Sequence, residues 1–236
     1  DIMHKPGTLY AETSEKAEHY KRLTGDFQIG GVGGASVPIP TPVLPAEGVI
    51  RWAEIKPGRE LGKGGFGIVY QAKWRHDDVA VKKIKEELLE GNVEAARAEF
   101  RKELATLRSL VHRNIVQCYG GDASESNDFF IVTELMERGS LDDCLRKHKD
   151  EFAWDRLGKK VLLDAAKGLL CLHEIHGMTH FDIKPHNVLV SADNLAKLAD
   201  VGLAKRLEKT VTIPGGWTAL YAAPEILMRK GANQRS

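Results

Sequence analysis

Residues 180–187 read HFDIKPHN, and the triplet DVG begins at Asp200, eighteen residues after Asp182. Asp182 can accept a proton from a hydroxyl group, and Lys184 can steady a phosphoryl group during transfer. Asn187 and Asp200 carry the hard oxygen ligands that magnesium prefers. This order and spacing of side chains therefore predicts a site for phosphoryl transfer with a bound metal ion.

These residues resemble the catalytic loop and the metal-binding loop of eukaryotic protein kinases. The resemblance implies that Asp182 and Lys184 are catalytic and that Asn187 and Asp200 bind Mg²⁺. It also implies a bilobal α+β fold, with a small antiparallel-sheet lobe plus the family's helix C, and a mainly helical large lobe. ATP is expected between the lobes. The large lobe is expected to be incomplete, because the family continues with further helices after the Ala-Pro-Glu segment that ends at Glu225.

A glycine-rich segment, LGKGGFGIVY, occupies residues 61–70. Glycine lets a backbone close over phosphates with its N–H groups directed at them. A dinucleotide-binding fold uses a similar pattern but runs into a helix, whereas the apolar residues that follow here predict a strand. The segment resembles the phosphate-covering loop of protein kinases. The resemblance assigns ATP binding to Leu61, Gly62, Gly64, Gly67 and Val69.

Two adjacent lysines follow a β-branched run that begins at Val79 and predicts a strand. Side chains alternate across a strand, so Lys82 and Lys83 cannot both face the cleft. Ala80 shares a face with Lys82, and the family places a small alanine there against adenine. Lys82 is therefore expected on the α- and β-phosphates and Lys83 in solvent, with the opposite register as the alternative.

Residues 92–111 have helical periodicity and match helix C. Glu103 lies between Phe100 and Leu107 on nearly the same face, so we expect it to point inward. It also lies nine residues before His112, where the family's helix-C Glu falls, and this resemblance implies an ion pair with Lys82. Glu99 is expected to face solvent. The apolar stripe is expected to comprise Val93, Ala96, Phe100, Leu104, Leu107 and Val111.

Residues 129–141 resemble the strand and hinge that join the two lobes, with Thr133 at the gatekeeper position. The resemblance implies that the backbone from Glu134 to Met136 binds the adenine edge and that Leu189 forms the pocket floor. Ser140 is a candidate N-cap for a short helix, and residues 155–176 read as a buried helix. His180 is expected to pack against the metal-binding loop.

Composition agrees with a globular protein of one large or two small domains: 236 residues, 42% hydrophobic and 28% charged. A net charge of +1 gives no broad electrostatic reason to expect nucleic acid as a partner. Cys118, Cys144 and Cys171 are widely spaced, which favours free thiols in a reducing compartment and hence a cytoplasmic location. No apolar run is long enough to span a membrane.

The chain divides into four predicted parts. Residues 1–29 form a charged segment of unknown role, residues 30–51 a Gly/Pro-rich linker, residues 52–137 the small lobe and hinge, and residues 138–236 part of the large lobe. The segment that begins at Trp52 resembles the start of the kinase domain in tyrosine-kinase-like serine/threonine kinases.

The resemblance implies transfer of the γ-phosphoryl group of Mg-ATP to a protein serine or threonine. Lys184, two residues after Asp182, matches the serine/threonine pattern, as does Thr218. Phe181 replaces the family's usual Arg, so we expect control through helix C or outside domains rather than through phosphorylation of Thr210 or Thr212. Val201 replaces the family's usual Phe. A pseudokinase acting as an ATP-binding or allosteric interaction module and a phosphotransferase acting on a small molecule remain alternatives.

Overall fold

The computed structural model describes residues 48–64, 67–84, 93–123, 129–180, 182–201 and 221, which form two lobes. The small lobe is a five-stranded antiparallel sheet in the order β1-β2-β3-β5-β4, with helix α1 packed against β4. The bilobal α+β prediction is confirmed for this part of the chain. The elements of the small lobe are β1 (Ile55–Lys63), β2 (Gly67–Trp74), β3 (Asp77–Ile84), α1 (Val93–Ser109), β4 (Cys118–Asp122) and β5 (Phe130–Glu134).

The small-lobe sheet is buried on both faces, as alternation along β5 shows. Phe130 and Val132 lie in one apolar cluster with Trp74, while Ile131 lies in another with Phe100 of α1. This is the two-residue period of a strand. The sheet therefore has a layer on each side, and α1 supplies one of them.

Helix α1 ends two residues earlier than its sequence pattern suggests. Phe100 and Leu104 are buried as expected, but the helix ends at Ser109 and Val111 is 72% exposed. The prediction that Val111 continues the buried stripe is wrong, because the chain has already left the helix.

The packed small lobe begins before Trp52. Ile50 is fully buried in the sheet core, and its N–H donates to the carbonyl of Gly121 at 3.1 Å. Gly121 in turn donates to the carbonyl of Gly48 at 3.0 Å, so Val49 forms a parallel bridge at the edge of β4. Residues 48–50, which the prediction placed in the linker, therefore pack against the small lobe.

Replacing Ile50 with Ala should destabilise the small lobe by about 2–4 kcal/mol, because the deletion leaves a cavity in a close-packed core. Val49→Ala is a matched control, since Val49 is 47% exposed and should change stability by about 0.5 kcal/mol or less. Thermal unfolding of the full-length protein measures both. Equal shifts in Tm for the two variants would show that Ile50 is not a core residue.

The described part of the large lobe, within residues 138–201, contains a three-stranded antiparallel sheet and two helices around one apolar core. Ser140 caps the first helix by accepting the Asp143 N–H at 3.1 Å, as predicted. Single helical turns flank the second helix at Trp154–Gly158 and Cys171–Ile175. The elements are β6 (Gly139–Ser140), α2 (Leu141–Lys147), α3 (Lys159–Leu170), β7 (Val188–Val190) and β8 (Ala196–Leu198).

Helix α3 and its flanking turns replace the single helix predicted over 155–176. Val161 and Leu172 are buried in the large-lobe core. Leu162 and Leu163 are 54% and 50% exposed, so the prediction of a buried scaffold holds for one face only. None of the described helices is long and apolar enough to cross a membrane.

Strand β8 is bound to the segment that connects α1 with β4. The Val116 N–H donates to the Leu198 carbonyl at 2.8 Å, and the Leu198 N–H donates to the Asn114 carbonyl at 2.9 Å. The buried Asn114 side chain also donates to the Ala196 carbonyl at 2.9 Å. These bonds hold β8, and with it Asp200 two residues later, against the base of the small lobe.

Candidate active site

A cavity of about 310 Å³ lies between the lobes. Its walls come from β1, β2, β3 and β5 of the small lobe and from β7 and the end of β8 in the large lobe. Nine of the eleven residues predicted to contact ATP line it: Leu61, Gly62, Val69, Ala80, Lys82, Thr133, Glu134, Met136 and Leu189.

The other two residues of that prediction, Gly64 and Gly67, do not line the cavity. Gly67 is paired with Ile84 in the sheet, and a Cβ atom on it would lie 2.0 Å from the carbonyl oxygen of Lys83. Glycine is therefore needed at 67 for the close approach of β2 and β3. A Cβ atom on Gly64 would meet nothing within 4 Å, so no packing contact requires glycine there.

The two adjacent lysines have different surroundings. Lys82 lines the cavity, and its Nζ lies 2.5 Å from Oδ1 of Asp200. Lys83 points to the other face of the sheet, where its Nζ lies 4.9 Å from the ring centroid of Trp52. The prediction of a solvated Lys83 is wrong, because this side chain is half-buried on an aromatic ring, a favourable cation–π position.

Glu103 is half-buried on α1, between the buried Phe100 and the partly buried Leu107, whereas Glu99 is exposed. The inward orientation expected from the helical period is therefore present. Lys82 forms an ion pair with Asp200, and the pairing of Glu103 with Lys82 stays a prediction.

Asp200 has a φ of 57°, in the left-handed region that residues other than glycine seldom adopt. Such a conformation persists where the surroundings hold it, and functional sites are the common place for it. Burial acts to raise the pKa of Asp200, but the Lys82 ammonium, with a smaller contribution from the Lys184 ammonium, holds that pKa below its ordinary value. Asp200 is therefore an anion two residues after the end of β8. It lines the cavity, and its side chain is 39% exposed.

The catalytic-loop aspartate is held by one of its two carboxylate oxygens. Oδ2 of Asp182 accepts from Lys184 Nζ at 2.7 Å and from Asn187 Nδ2 at 2.8 Å. Oδ1 is buried and has no hydrogen-bond partner among the residues that the structure describes. A buried carboxylate oxygen without a donor is costly, so Oδ1 is suited to receive a donor from a bound molecule.

Asn187 and Asp200 fit the magnesium ligands predicted for them. Asn187 uses its Nδ2 to bind Asp182, and no described donor contacts its amide oxygen. Asp200 uses Oδ1 to bind Lys82, and no described donor contacts Oδ2. One amide oxygen and one carboxylate oxygen thus remain for a hard cation.

Ala199 joins the catalytic loop to Asp200. Its N–H donates to the carbonyl of Asn187 at 2.9 Å, and its carbonyl accepts from Nε2 of His180 at 2.9 Å. Burial lowers the pKa of His180, so the ring is neutral and carries its proton on Nε2, while Nδ1 faces the Asp182 N–H at 3.4 Å. His180 packs against the metal-binding loop as expected.

The hinge leaves backbone groups available at the cavity wall. The Met136 N–H has no partner among the described residues, and the Met136 carbonyl accepts the Gly139 N–H at 3.0 Å. The Glu134 N–H already donates to the Gln117 carbonyl at 3.0 Å. The Glu134 carbonyl already accepts from Thr133 Oγ1 at 3.2 Å, but each of the two carbonyls can accept a second hydrogen bond. The Met136 N–H and these carbonyls are therefore the groups that can bind a planar heterocycle.

Sequence reasoning missed three polar residues that line the cavity, namely Ser140, Asp143 and His186. A hydrogen bond from Ser140 Oγ, 2.6 Å away, lowers the pKa of Asp143, so an anionic acceptor stands at this edge. The N-cap pattern already placed Ser140 and Asp143 together at a helix start. It did not indicate that the start of α2 opens onto the cavity.

Several predicted features lie outside the described residues. These are Phe181, the glycine of DVG, Thr210, Thr212, Thr218 and the Ala-Pro-Glu segment. Val201 is described, and it is buried in the large-lobe core beside the cavity.

Comparison with known proteins agrees with this geometry. Residues 55–236 match the family model described as a protein kinase domain. A Dictyostelium discoideum protein named "Probable serine/threonine-protein kinase drkB" is 37% identical over 74% of this chain and 25% of its own length. A serine/threonine-protein kinase of Arabidopsis thaliana is 33% identical over 82% of this chain and 34% of its own length. The aligned part of the chain thus spans about a quarter to a third of the length of these relatives.

Proposed function

The chain belongs to the protein kinase family, and we propose that its full-length protein transfers the γ-phosphoryl group of ATP to serine or threonine hydroxyls of other proteins. The proposal depends mainly on the surroundings of the Asp182 carboxylate. One oxygen of this carboxylate is held by Lys184 and Asn187, and the other is buried without a described donor. A hydroxyl group bound there would donate a hydrogen bond to Oδ1 of Asp182 and could lose its proton to that oxygen.

In the proposed reaction, the acceptor oxygen forms a bond to the γ-phosphorus while the bond from that phosphorus to ADP breaks. The hydroxyl proton passes to Oδ1 of Asp182. Lys184, 2.7 Å from Oδ2, holds the carboxylate in place and puts a positive charge beside the reacting group. Positioning and charge stabilisation supply most of the rate enhancement in such transfers.

Lys82 and Asp200 form the other side of the proposed site. Lys82 stands at the cavity wall, where its ammonium can bind phosphate oxygens. Mg²⁺, when bound, would supply charge neutralisation at the β- and γ-phosphates, and Asn187 and Asp200 carry the free oxygens that would hold it. The apolar walls from Leu61, Val69 and Leu189 would exclude water from the nucleotide base.

The relatives support serine and threonine over tyrosine as acceptors, because their names state this specificity. The assignment to the tyrosine-kinase-like subgroup and a cytoplasmic location are part of the proposal. The three cysteines are free thiols in the core, and burial raises the pKa of Cys118 to about 12, which suits an unreactive packing role.

The test is a transfer assay with the full-length protein, Mg²⁺ and γ-labelled ATP on a generic protein substrate, followed by phosphoamino-acid analysis. We expect label on serine and threonine, and none when Mg²⁺ is chelated. Label mainly on tyrosine would contradict the specificity. Tight ATP binding without any transfer would identify a pseudokinase, and label on small-molecule acceptors alone would identify the other alternative.

A further inference from the structure

An ion pair behind the cavity joins the two lobes and has no part in the reaction described above. Both carboxylate oxygens of Glu134 accept from Nζ of Lys197, at 2.8 and 2.7 Å. Oε1 of Glu134 also accepts from the Gln117 N–H at 2.7 Å. Glu134 ends strand β5 of the small lobe, and Lys197 is the central residue of β8 in the large lobe.

The pair is fixed at both ends by the sheets. The Glu134 N–H donates to the Gln117 carbonyl, so the main chain and the side chain of Glu134 both bind Gln117. Lys197 is opposite Leu189, the expected pocket floor, and lies three residues before Asp200. The ion pair therefore connects the hinge wall of the cavity with the strand that carries the floor and the acidic metal ligand.

Lys197 does not line the cavity, whereas Glu134 does. The side chains of Lys197 and Glu134 are 15% and 20% exposed. No other described cation lies within ion-pair distance of Glu134. Removing the ammonium would leave a largely buried carboxylate with one remaining donor, a state that is strongly disfavoured. Glu134 would then move toward solvent, and its backbone would move with it.

We propose that Lys197 and Glu134 are positioning residues that form an interlobe clamp, defined as Lys197, Glu134 and the Gln117 N–H. The clamp holds the Glu134–Met136 backbone at a set distance from Leu189 and Asp200. Those groups contact opposite ends of a nucleotide in the proposed function, on which this inference rests. The clamp thereby sets the affinity of the cleft for ATP and has little effect on the phosphoryl-transfer step.

Two other roles make different kinetic predictions. A pair that only stabilises the fold would lower Tm when broken but leave the KM for ATP of the folded protein unchanged. A pair that restrains lobe motion during turnover would raise kcat when broken. The clamp instead predicts weaker nucleotide binding at nearly constant kcat, the signature of lost binding that is equal in the ground state and the transition state.

The experiment uses the full-length protein and compares Lys197→Met with Lys197→Arg. For Lys197→Met we expect the KM for ATP to rise about tenfold while kcat changes by less than about threefold. Lys197→Arg should stay within about twofold of the wild type, because a guanidinium can bind both oxygens of Glu134. Lys73→Met is the matched control, since Lys73 pairs with Asp78 on the exposed surface of the small lobe and should change neither constant.

A double-mutant cycle isolates the pair. Glu134→Gln should raise the KM for ATP much as Lys197→Met does, and the double variant should be no worse than the more damaged single variant. Additive effects, a KM for Lys197→Met within twofold of the wild type, or a raised kcat at unchanged KM would each overturn the proposal.

The dissociation constant for ATP, measured by equilibrium binding, keeps this test independent of the proposed activity. A wild type that binds ATP without transferring phosphate would refute the proposed function, yet Lys197→Met should still weaken binding about tenfold. A wild type that transfers phosphate, with equal ATP affinity in both proteins, would refute the clamp alone.

Discussion

Replacing Asp182 with Ala is expected to lower kcat by about 10³-fold or more while ATP still binds. Loss of the proton acceptor alone typically costs about 10²–10⁴-fold. The variant also loses the anchor for the acceptor hydroxyl, because Oδ1 of Asp182 is the buried oxygen left without a described donor. Asp182 does not line the nucleotide cavity, so the affinity for ATP should stay within about threefold of the wild type.

Asp150→Ala is the matched control for this measurement. Asp150 is an exposed aspartate in the turn before Phe152, outside the cavity, and its replacement should leave kcat unchanged. Steady-state kinetics and equilibrium ATP binding on the same preparations separate the two effects. Retention of a tenth or more of the wild-type kcat by Asp182→Ala would mean that another group accepts the proton.

Replacing Lys82 with Met is expected to lower kcat/KM by about 10²-fold or more. The change removes the cation that stands 2.5 Å from Asp200 and that is placed to bind phosphate oxygens. Loss of a charged hydrogen-bonding partner in a partly buried site leaves the opposite charge uncompensated. Lys83→Met is the adjacent control, and it should keep activity within about threefold because its ammonium lies over Trp52 on the opposite face of the sheet.

The Lys82 variant should also change the dependence of kcat/KM on pH. Lys82 is the largest of the influences that lower the pKa of Asp200, and burial acts in the opposite direction. Without Lys82 the pKa of Asp200 rises, so the carboxylate is protonated at a higher pH and the acid limb of the pH profile of kcat/KM moves to higher pH.

A loss of activity in Lys83→Met with normal activity in Lys82→Met would contradict the assignment of the two lysines.

Short motifs, and the resemblance to protein kinases that they carry, were enough to indicate the fold class and the chemistry. Residues 180–187 already hold a proton-accepting aspartate, a lysine and an amide at short spacing, and the structure places the lysine and the amide within hydrogen-bond distance of the aspartate. The alternation along β3 likewise placed Lys82 on the face that lines the cavity. Such inferences succeed because strand and loop geometry relate residues that are close in the chain.

Other expectations failed where the answer depended on segments distant in the chain. Val111 fits the helical period but lies beyond the helix end, and Ile50 sits in a stretch whose composition reads as linker yet is buried against β4. Gly67 fits a phosphate-binding motif, but its requirement for glycine comes from the carbonyl of Lys83 across the sheet. Amino-acid composition and the spacing of apolar residues do not show which distant segment packs against a given residue.

The sequence alone therefore determined the kinase-like arrangement of catalytic and nucleotide-binding residues, because each motif is short and its side chains are related by local geometry. Only the tertiary structure decided that Lys82 meets Asp200, 118 residues away, and that Lys197 meets Glu134, 63 residues away. Both contacts depend on how the two lobes come together. That arrangement is set by burial and hydrogen bonding across the whole fold, which no local pattern encodes.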